Sequence, residues 1–484
     1  MRSRGMAAAR TVLLAGPTAL AFFAGGYFAQ ARNWAGLAVW ALVVAGVVLT
    51  WTGARLPAAP RARSGPAVWL APAALIALAA WTLASIAWAP IAGNAYAAGQ
   101  IAVLYAGGLL AAVLLLRGPD GAAARLALEP AVAAGTLVVV GYGLSERLLP
   151  GLLRFAQSAT ADGRLEQPLT YWNAMGMVAA IGLVVCARLA GDERRRRPAR
   201  GAAAAAAAPL GLGLYVAFSR GALFACFAGV VTLAVARPDR AQWRAIAVVL
   251  ATGAIAAAAA APLPGITGMR GSLGSREAEG ALMLVLLALI MAAAWLAQRS
   301  LAARPAGPAP RLPQRAPWIA AGVICAALAL AVAVGARETA GVPLGGGAGR
   351  LTTLRSDRYD YWRVALRAFA HDPLIGVGAG GWSVWWLRYR PYRDGATDAH
   401  SLELQTLGEL GLVGAALLLA LFVGVGLAAA RAIALDPETA AGPLAGCVVY
   451  LAHSPLDWDW QMPALTLIAV ALAGSLIASA TDGQ

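Results

Sequence analysis

Long apolar segments, separated by short polar or glycine-containing turns, run through nearly the whole 484-residue sequence. Because a transmembrane helix needs about 20 mostly apolar residues, each segment is a candidate membrane span. Fourteen candidates lie at 11–31, 34–53, 67–89, 96–116, 123–145, 171–190, 201–218, 220–236, 244–262, 279–298, 317–336, 405–430, 440–455 and 462–480. The pattern predicts an all-α polytopic transmembrane helix bundle with twelve to fourteen spans.

Two connections between these segments, at about 146–170 and 337–404, are too long to be simple turns. Long connections in compact domains are uncommon and often carry function. We therefore expect three regions: a transmembrane bundle of about eleven spans at 1–336, a long loop at 337–404 and C-terminal transmembrane helices at 405–484. The long loop is the first candidate for the functional region.

Arginine supplies all 38 basic residues, since the sequence contains no lysine. Cytoplasmic loops of membrane proteins carry an excess of basic residues. With a cytoplasmic N-terminus, 22 arginines fall on the inside, seven in short outside segments and nine in the long loop. This distribution predicts a multi-pass protein of the inner or plasma membrane, with both termini cytoplasmic and the long loop outside.

Composition excludes several classes of function. With 60% hydrophobic and 13% charged residues, the chain is too apolar for a soluble protein of this length. The net charge of +15 would suggest a nucleic-acid partner in a soluble protein, but here the arginines serve as topology signals, so we expect membrane lipids and no nucleic acid. The four cysteines lie inside apolar runs without metal-ligand spacing, so neither a disulfide framework nor a metal site is predicted.

The long loop contains a predicted helix over 356–373, with the sequence SDRYDYWRVALRAFAHDP. Apolar positions Tyr359, Trp362, Leu366 and Phe369 share one helical face, and Arg363 and Arg367 lie four residues apart on another. This arrangement is typical of a helix at the membrane–water interface. The two arginines either bind substrate or extend to lipid phosphates while the helix packs over the bundle.

A glycine- and tryptophan-rich stretch follows at 373–394, with the sequence PLIGVGAGGWSVWWLRYRPYRD. We expect Trp382, Trp385 and Trp386 to anchor the loop at the interface. His400 comes next, at the start of the following span and close in sequence to Glu409. A histidine there can act as a general base or donate a hydrogen bond to a phosphate, or it can simply cap the helix.

Other polar residues fall at the same predicted level of the bundle. Arg220 lies between two apolar runs, where a charge needs an anionic ligand or an acidic partner. Segments 164–177 and 452–463 add further polar side chains. Arginine side chains match diphosphate oxygens well, so this layer suits a lipid diphosphate. The additional substrate-binding candidates are Arg164, Asn173, Glu409, His453 and Asp457.

Three ordered segments carry a family resemblance: SRGALF at 219–224, RYDYWRVAL followed by PLIGVGAGGW, and AHSLELQTLGELGLVG. Together they resemble the O-antigen ligase and O-antigen polymerase family over about residues 164–463. The resemblance implies a metal-independent membrane glycosyltransferase of the GT-C kind, without a cofactor. Such an enzyme transfers a glycan from an undecaprenyl-diphosphate carrier to a hydroxyl of a glycan, lipid or protein acceptor.

The resemblance also implies residue roles. Arg220 and Arg358 would bind the diphosphate, and His400 would activate the acceptor hydroxyl or stabilise the departing diphosphate. Asn173 resembles the asparagine of a proline–asparagine motif, although in PLTYWN four residues separate the proline from the asparagine. Ser401 stands where the family usually has asparagine.

Two other functions use the same residues differently. A transporter or flippase of lipid-linked glycans would also bind diphosphate, but it favours charged residues in mid-membrane, and the predicted spans have almost none. A non-catalytic cell-envelope protein would use the loop for docking, and it gives no reason for Arg220 together with His400. Within the glycosyltransferase interpretation, the motifs are shared by enzymes that transfer to a lipid, to a growing glycan or to a protein.

Overall fold

The computed structural model describes residues 2–51, 66–304, 312–335, 347–353 and 356–482. Throughout these ranges the regular structure is helical, with no strand. The α-helices are α1 (Arg2–Ala21), α2 (Ala29–Trp51), α3 (Leu70–Ala84), α4 (Ala92–Leu116), α5 (Pro119–Leu148), α6 (Trp172–Gly191), α7 (Arg197–Val216), α8 (Arg220–Ala236), α9 (Arg240–Ala260), α10 (Pro264–Thr267), α11 (Leu273–Leu301), α12 (Ala316–Gly335), α13 (Arg358–His371), α14 (Trp382–Tyr389), α15 (Leu402–Leu435), α16 (Pro437–His453) and α17 (Pro463–Asp482).

The fourteen predicted spans overlap fourteen long helices, although the first, 11–31, extends past the end of α1 at Ala21 into the start of α2 at Ala29. The all-α polytopic prediction is confirmed. In the described part of the chain, ten helical segments are long and apolar enough to cross a membrane, and α8 is a shorter apolar helix. The helices α1 and α7 do not meet that test because they also contain arginine, glycine and proline, and α16, with 17 residues, is too short.

Helix α6 lies at the centre of the bundle, and the apolar part of its length is buried throughout. It packs against α5, α7, α8, α9 and α16. Small residues permit the closest approaches, as in other membrane bundles: a Cβ atom at Gly211 of α7 would lie 2.2 Å from Cα of Gly253 in α9. At the periphery, α12 is exposed along almost its whole length.

Successive connections alternate between the two ends of the bundle. At the end that carries the described loop residues, called the loop end below, Ala89 packs against Gly378 and Met462 against Gly25. At the opposite end, Arg125 pairs with Asp482 at 2.6 Å. The contacts therefore place both long connections, 146–170 and the described part of 337–404, at one end of the bundle.

The loop folds into its own aromatic cluster rather than an interfacial anchor. Trp382 and Trp386 are fully buried, and their rings stack with centroids 5.6 Å apart against Tyr361 of α13. The predicted anchoring role is therefore wrong for these two tryptophans, while Trp385 is half-buried. Helix α13 packs through Tyr361 and Val364.

Because the packed face of α13 is not the predicted stripe, that stripe of Tyr359, Trp362, Leu366 and Phe369 is left half-buried or exposed. An outward-facing apolar stripe agrees with a helix at the membrane interface.

Candidate functional site

His400 lies at the loop end, immediately before the Ser401 cap of α15, whose hydroxyl accepts from the Leu404 amide at 3.3 Å. Its backbone has φ +52°, a left-handed conformation that non-glycine residues adopt only where the surroundings enforce it. Nδ1 lies 2.9 Å from the Asp398 carbonyl oxygen. Since a carbonyl only accepts, Nδ1 carries the proton and the Nε2 lone pair of the neutral ring stays available.

The surroundings favour that neutral ring. Burial lowers the pKa of His400 below its ordinary 6.5; the Asp457 carboxylate opposes this shift, whereas the Arg358 charge reinforces it. The imidazole lies between aromatic rings, with centroids 5.1 Å from Tyr361 and 6.1 Å from Trp458. Among the described residues, no side chain or backbone group forms a hydrogen bond to Nε2. A neutral imidazole with an available Nε2 can accept a proton from a hydroxyl.

Asp457 is the centre of the hydrogen bonds beside His400. The Arg358 guanidinium donates to its Oδ2 at 2.7 Å, and the Tyr171 hydroxyl donates to its Oδ1 at 2.6 Å. Asn173 Nδ2 donates in turn to the Tyr171 oxygen at 2.7 Å. Asp457 itself is fully buried, and its contacts fix Arg358 in place; its role in substrate binding stays a prediction.

Charge explains why this buried carboxylate stays ionised. Burial raises the pKa of Asp457, but the neighbouring Arg358 charge, helped by the hydrogen bond from Tyr171, outweighs it, and the pKa ends below its usual range. For Arg358, burial lowers the pKa and the Asp457 charge more than compensates. The pair therefore holds a charged guanidinium at the first residue of α13, next to His400.

Three more arginines are connected to Arg358 through Arg350 and its neighbour Thr353. Arg220, at the start of α8, donates to the Thr353 carbonyl, three positions after Arg350. Burial lowers the pKa of Arg350, and the Arg358 charge lowers it further. Burial, together with the Arg350 charge, lowers the pKa of Arg164 to about 10. The arginine cluster, as we call Arg164, Arg220, Arg350 and Arg358, thus concentrates positive charge.

Arg164 is the most strongly desolvated member of the cluster by surface area, with 4% of its surface exposed. It donates to the carbonyls of Ala161 (2.7 Å) and Thr160, and its guanidinium lies 3.6 Å from the Trp172 ring centroid. In the described ranges its Nη1 forms no hydrogen bond, and the side chain forms no ion pair. A buried guanidinium in this state favours an anionic ligand.

His453 is fully buried, and its contacts are with Asp459 and the start of α8. Its Nδ1 lies 2.6 Å from Asp459 Oδ2. A Cβ atom at Gly221 would lie 3.0 Å from its Nε2, so the glycine after Arg220 leaves room for the imidazole. His453 therefore supports the start of α8, and its role in substrate binding stays a prediction.

Glu409 holds the glycine-rich turn instead of facing the arginine cluster. Its Oε1 accepts from the Trp382 amide at 3.1 Å, and its carbonyl accepts from the Gly378 amide at 2.8 Å. Gly376 approaches so closely that a Cβ atom there would lie 2.3 Å from the Glu409 carbonyl carbon. The predicted substrate-binding role of Glu409 therefore has no support from its contacts.

Arg363 and Arg367 lie on the exposed side of α13. Arg363 pairs with Asp360 at 2.6 Å, and the Arg367 guanidinium lies 5.4 Å from the Tyr389 ring centroid. The structure therefore does not bring them to the Arg358–Asp457 pair. They agree better with the alternative of arginines at the membrane surface.

Sequence reasoning missed three residues of this site as candidates: Tyr171, Arg350 and Gln405. Gln405 accepts from the Ala399 amide at 3.1 Å and donates to Asp398 Oδ1 at 3.2 Å. It thereby braces the turn that carries His400. Its position five residues after His400, just over one helical turn into α15, was the available signal.

The comparisons with known proteins agree with the resemblance. Residues 272–419 match a family model described as O-antigen ligase, a range that contains the described loop, Arg358 and His400. No curated protein matches the chain. Within the described residues, no group of three or more histidine, cysteine, aspartate or glutamate side chains is placed to hold a metal ion.

Proposed function

We propose that this chain, which carries the O-antigen ligase domain at 272–419 and is a membrane protein of the O-antigen ligase family, transfers a glycan from an undecaprenyl-diphosphate carrier to an acceptor hydroxyl. The observation that supports this most directly is the Arg358–Asp457 pair next to a neutral His400 with an available Nε2.

In this proposal the arginine cluster binds the diphosphate, and guanidinium groups suit it because they donate paired hydrogen bonds to phosphate oxygens. His400 Nε2 accepts the proton of the acceptor hydroxyl. The hydroxyl oxygen then forms a bond to the anomeric carbon as the bond from that carbon to the diphosphate oxygen breaks. The cluster neutralises the departing diphosphate, so its charge is stabilised where it develops.

We further propose that the loop end faces the outside of the inner or plasma membrane and that both termini are cytoplasmic. The excess of arginine in the short connections of the opposite end supports this orientation. Placement at the outer face would let the enzyme receive carriers whose glycans are already outside the cytoplasm.

The test is glycan transfer by purified protein in lipid nanodiscs, with a lipid-linked glycan as donor. We expect His400→Ala and Arg358→Ala each to lose at least about hundredfold of the rate, the scale of a general base or an anion-stabilising group. His371→Ala and Arg363→Ala are matched controls, since both side chains are exposed on α13, and they should retain the rate. Full activity in His400→Ala or Arg358→Ala refutes the assignment.

The acceptor is identified by mass spectrometry of surface glycans in a strain that lacks the protein. Loss of long chains from a lipid indicates a ligase, single repeat units indicate a polymerase, and unglycosylated protein indicates an oligosaccharyltransferase. Movement of intact carrier across the membrane without transfer would instead indicate a flippase.

A further inference from the structure

A deep apolar cleft opens between α1, α2, α4 and α17, outside the candidate site. Its volume is about 360 Å³, and its lining is apolar throughout. Gly16, Leu20 and Phe23 line one side, and Trp34 and Val39 line the other. Phe23 and Trp34 are 65% and 69% exposed, so the cleft opens onto the surface that a bilayer would cover.

The length of the cleft along α2 corresponds to the thickness of one leaflet of a bilayer. It follows α2 from Ala31 to Leu42, a distance of about 16 Å at the helical rise of about 1.5 Å per residue. The hydrocarbon core of a bilayer is about 30 Å thick, so the cleft extends through roughly half of it. It begins at the α1–α2 connection, which lies at the loop end.

A positive charge lies at that end of the cleft. Arg32 precedes the lining residues Ala35 and Val39 by three and seven positions, so it shares their helical face. Its Nη1 donates to the Tyr27 carbonyl at 3.3 Å. In the described part of the chain its buried Nε forms no hydrogen bond, and the side chain forms no ion pair with a carboxylate. Such a guanidinium is complementary to a phosphate.

We propose that this cleft binds an anionic phospholipid from the leaflet at the loop end, with an acyl chain between α1 and α2 and its phosphate on Arg32. The bound lipid also holds the α1–α2 connection in place, because Arg32 bonds to the Tyr27 backbone. The Tyr27 ring lies 5.4 Å from Trp458, whose ring is 6.1 Å from His400. The lipid therefore stabilises one wall of the candidate site, and this inference does not depend on the transfer reaction.

Two glycines provide a matched test of the cleft. A Cβ atom at Gly16 or at Gly36 would meet no atom within 4 Å, but only Gly16 lines the cleft. Gly16→Phe on α1 therefore places a ring in the cleft, and Gly36→Phe places the same ring on α2 outside the cleft. The measurement is native mass spectrometry of protein released from nanodiscs of phosphatidylglycerol and phosphatidylcholine.

We expect the unmodified protein and Gly36→Phe to retain one phosphatidylglycerol, and Gly16→Phe to lose it. Arg32→Gln should reduce the preference for phosphatidylglycerol over phosphatidylcholine roughly fivefold, the effect of one arginine near an anionic headgroup. Equal retention in Gly16→Phe, equal loss in Gly36→Phe, or an unchanged preference in Arg32→Gln overturns the proposal. If Gly16→Phe fails to fold, the Arg32→Gln result decides alone, and a failure of glycan transfer affects none of these readings.

Discussion

Two sets of arginines, one at each end of the bundle, have different partners. At the end opposite the loop, Arg194 pairs with Asp192 and Glu438 at 3.0 Å each, and Arg237 pairs with Asp239 at the same distance. At the loop end, Arg164 and Arg147 donate to backbone carbonyls, and neither forms an ion pair within the described residues.

This difference separates structural charge from charge that is available to a ligand. Carboxylates neutralise Arg194 and Arg237 inside the protein, so these two arginines stabilise helix packing. Carbonyls satisfy the donors of an arginine without neutralising its charge, and the remaining positive potential favours an anion. Arg358 lies between these two cases. It pairs with the Asp457 carboxylate, but that carboxylate also accepts a hydrogen bond from the Tyr171 hydroxyl.

The largest expected effects come from replacing one buried carboxylate at each end of the bundle, Asp457 at the loop end and Asp192 at the opposite end. Asp457→Asn removes the charge that holds Arg358, and we expect the transfer rate per folded molecule to fall about hundredfold. Asp192→Asn, at the opposite end, should cost about 1.5–3 kcal/mol of stability, the scale of a hydrogen bond to a charged group, because Arg188 and Arg194 keep Glu129 and Glu438 as partners; it should leave that rate unchanged. Thermal unfolding and transfer assays on both variants measure the two quantities separately.

Equal loss of transfer in the two variants would mean that the ends do not differ in function. Asp457→Asn also loses stability if the pair is structural as well, which is why the rate must be expressed per folded molecule.

A second prediction concerns pH. His400 must be neutral to accept a proton, so activity is full above its pKa and falls as pH drops through it. Because burial lowers the pKa of His400, the acidic limb of the transfer rate should have its midpoint below pH 6.5. About tenfold of the rate is lost for each pH unit below that midpoint. A rate profile in nanodiscs measures it, and a midpoint above pH 7 contradicts the role of His400 as the base.

The smallest expected effect concerns Gln405, which touches the turn before His400 and not the imidazole itself. Gln405→Ala should lower kcat about tenfold through loss of orientation and leave KM for the donor unchanged. Thr406→Ala, a truncation of the buried neighbour on the same helix, controls for damage to α15. A rise in KM with an unchanged kcat would show that Gln405 acts in binding instead.

The sequence predicted the helices well because an apolar run long enough to cross a membrane is a local property. It also predicted that Asp457 and Asn173 belong near Arg358, since all three lie at the predicted outer level. It could not identify Tyr171 as the link between them, because Tyr171 and Asp457 are 286 positions apart.

Errors arose where the packed face of an element had to be chosen. The periodicity of α13 defined an apolar stripe, but burial falls on the face of Tyr361 and Val364 instead. The tryptophans of 382–386 looked like interface anchors by composition, whereas two of them form the core of the loop. Glu409 was close to His400 in sequence, yet its side chain points to the glycine-rich turn.

The most direct test of the difference between the two ends is binding of undecaprenyl diphosphate, without a glycan, to purified protein by native mass spectrometry. Arg358→Gln should weaken binding about tenfold or more, the effect of losing a hydrogen bond between charged groups. Arg237→Gln, at the opposite end, should bind as the unmodified protein does. Equal affinity in Arg358→Gln and the unmodified protein would contradict the assignment of the arginine cluster to the diphosphate.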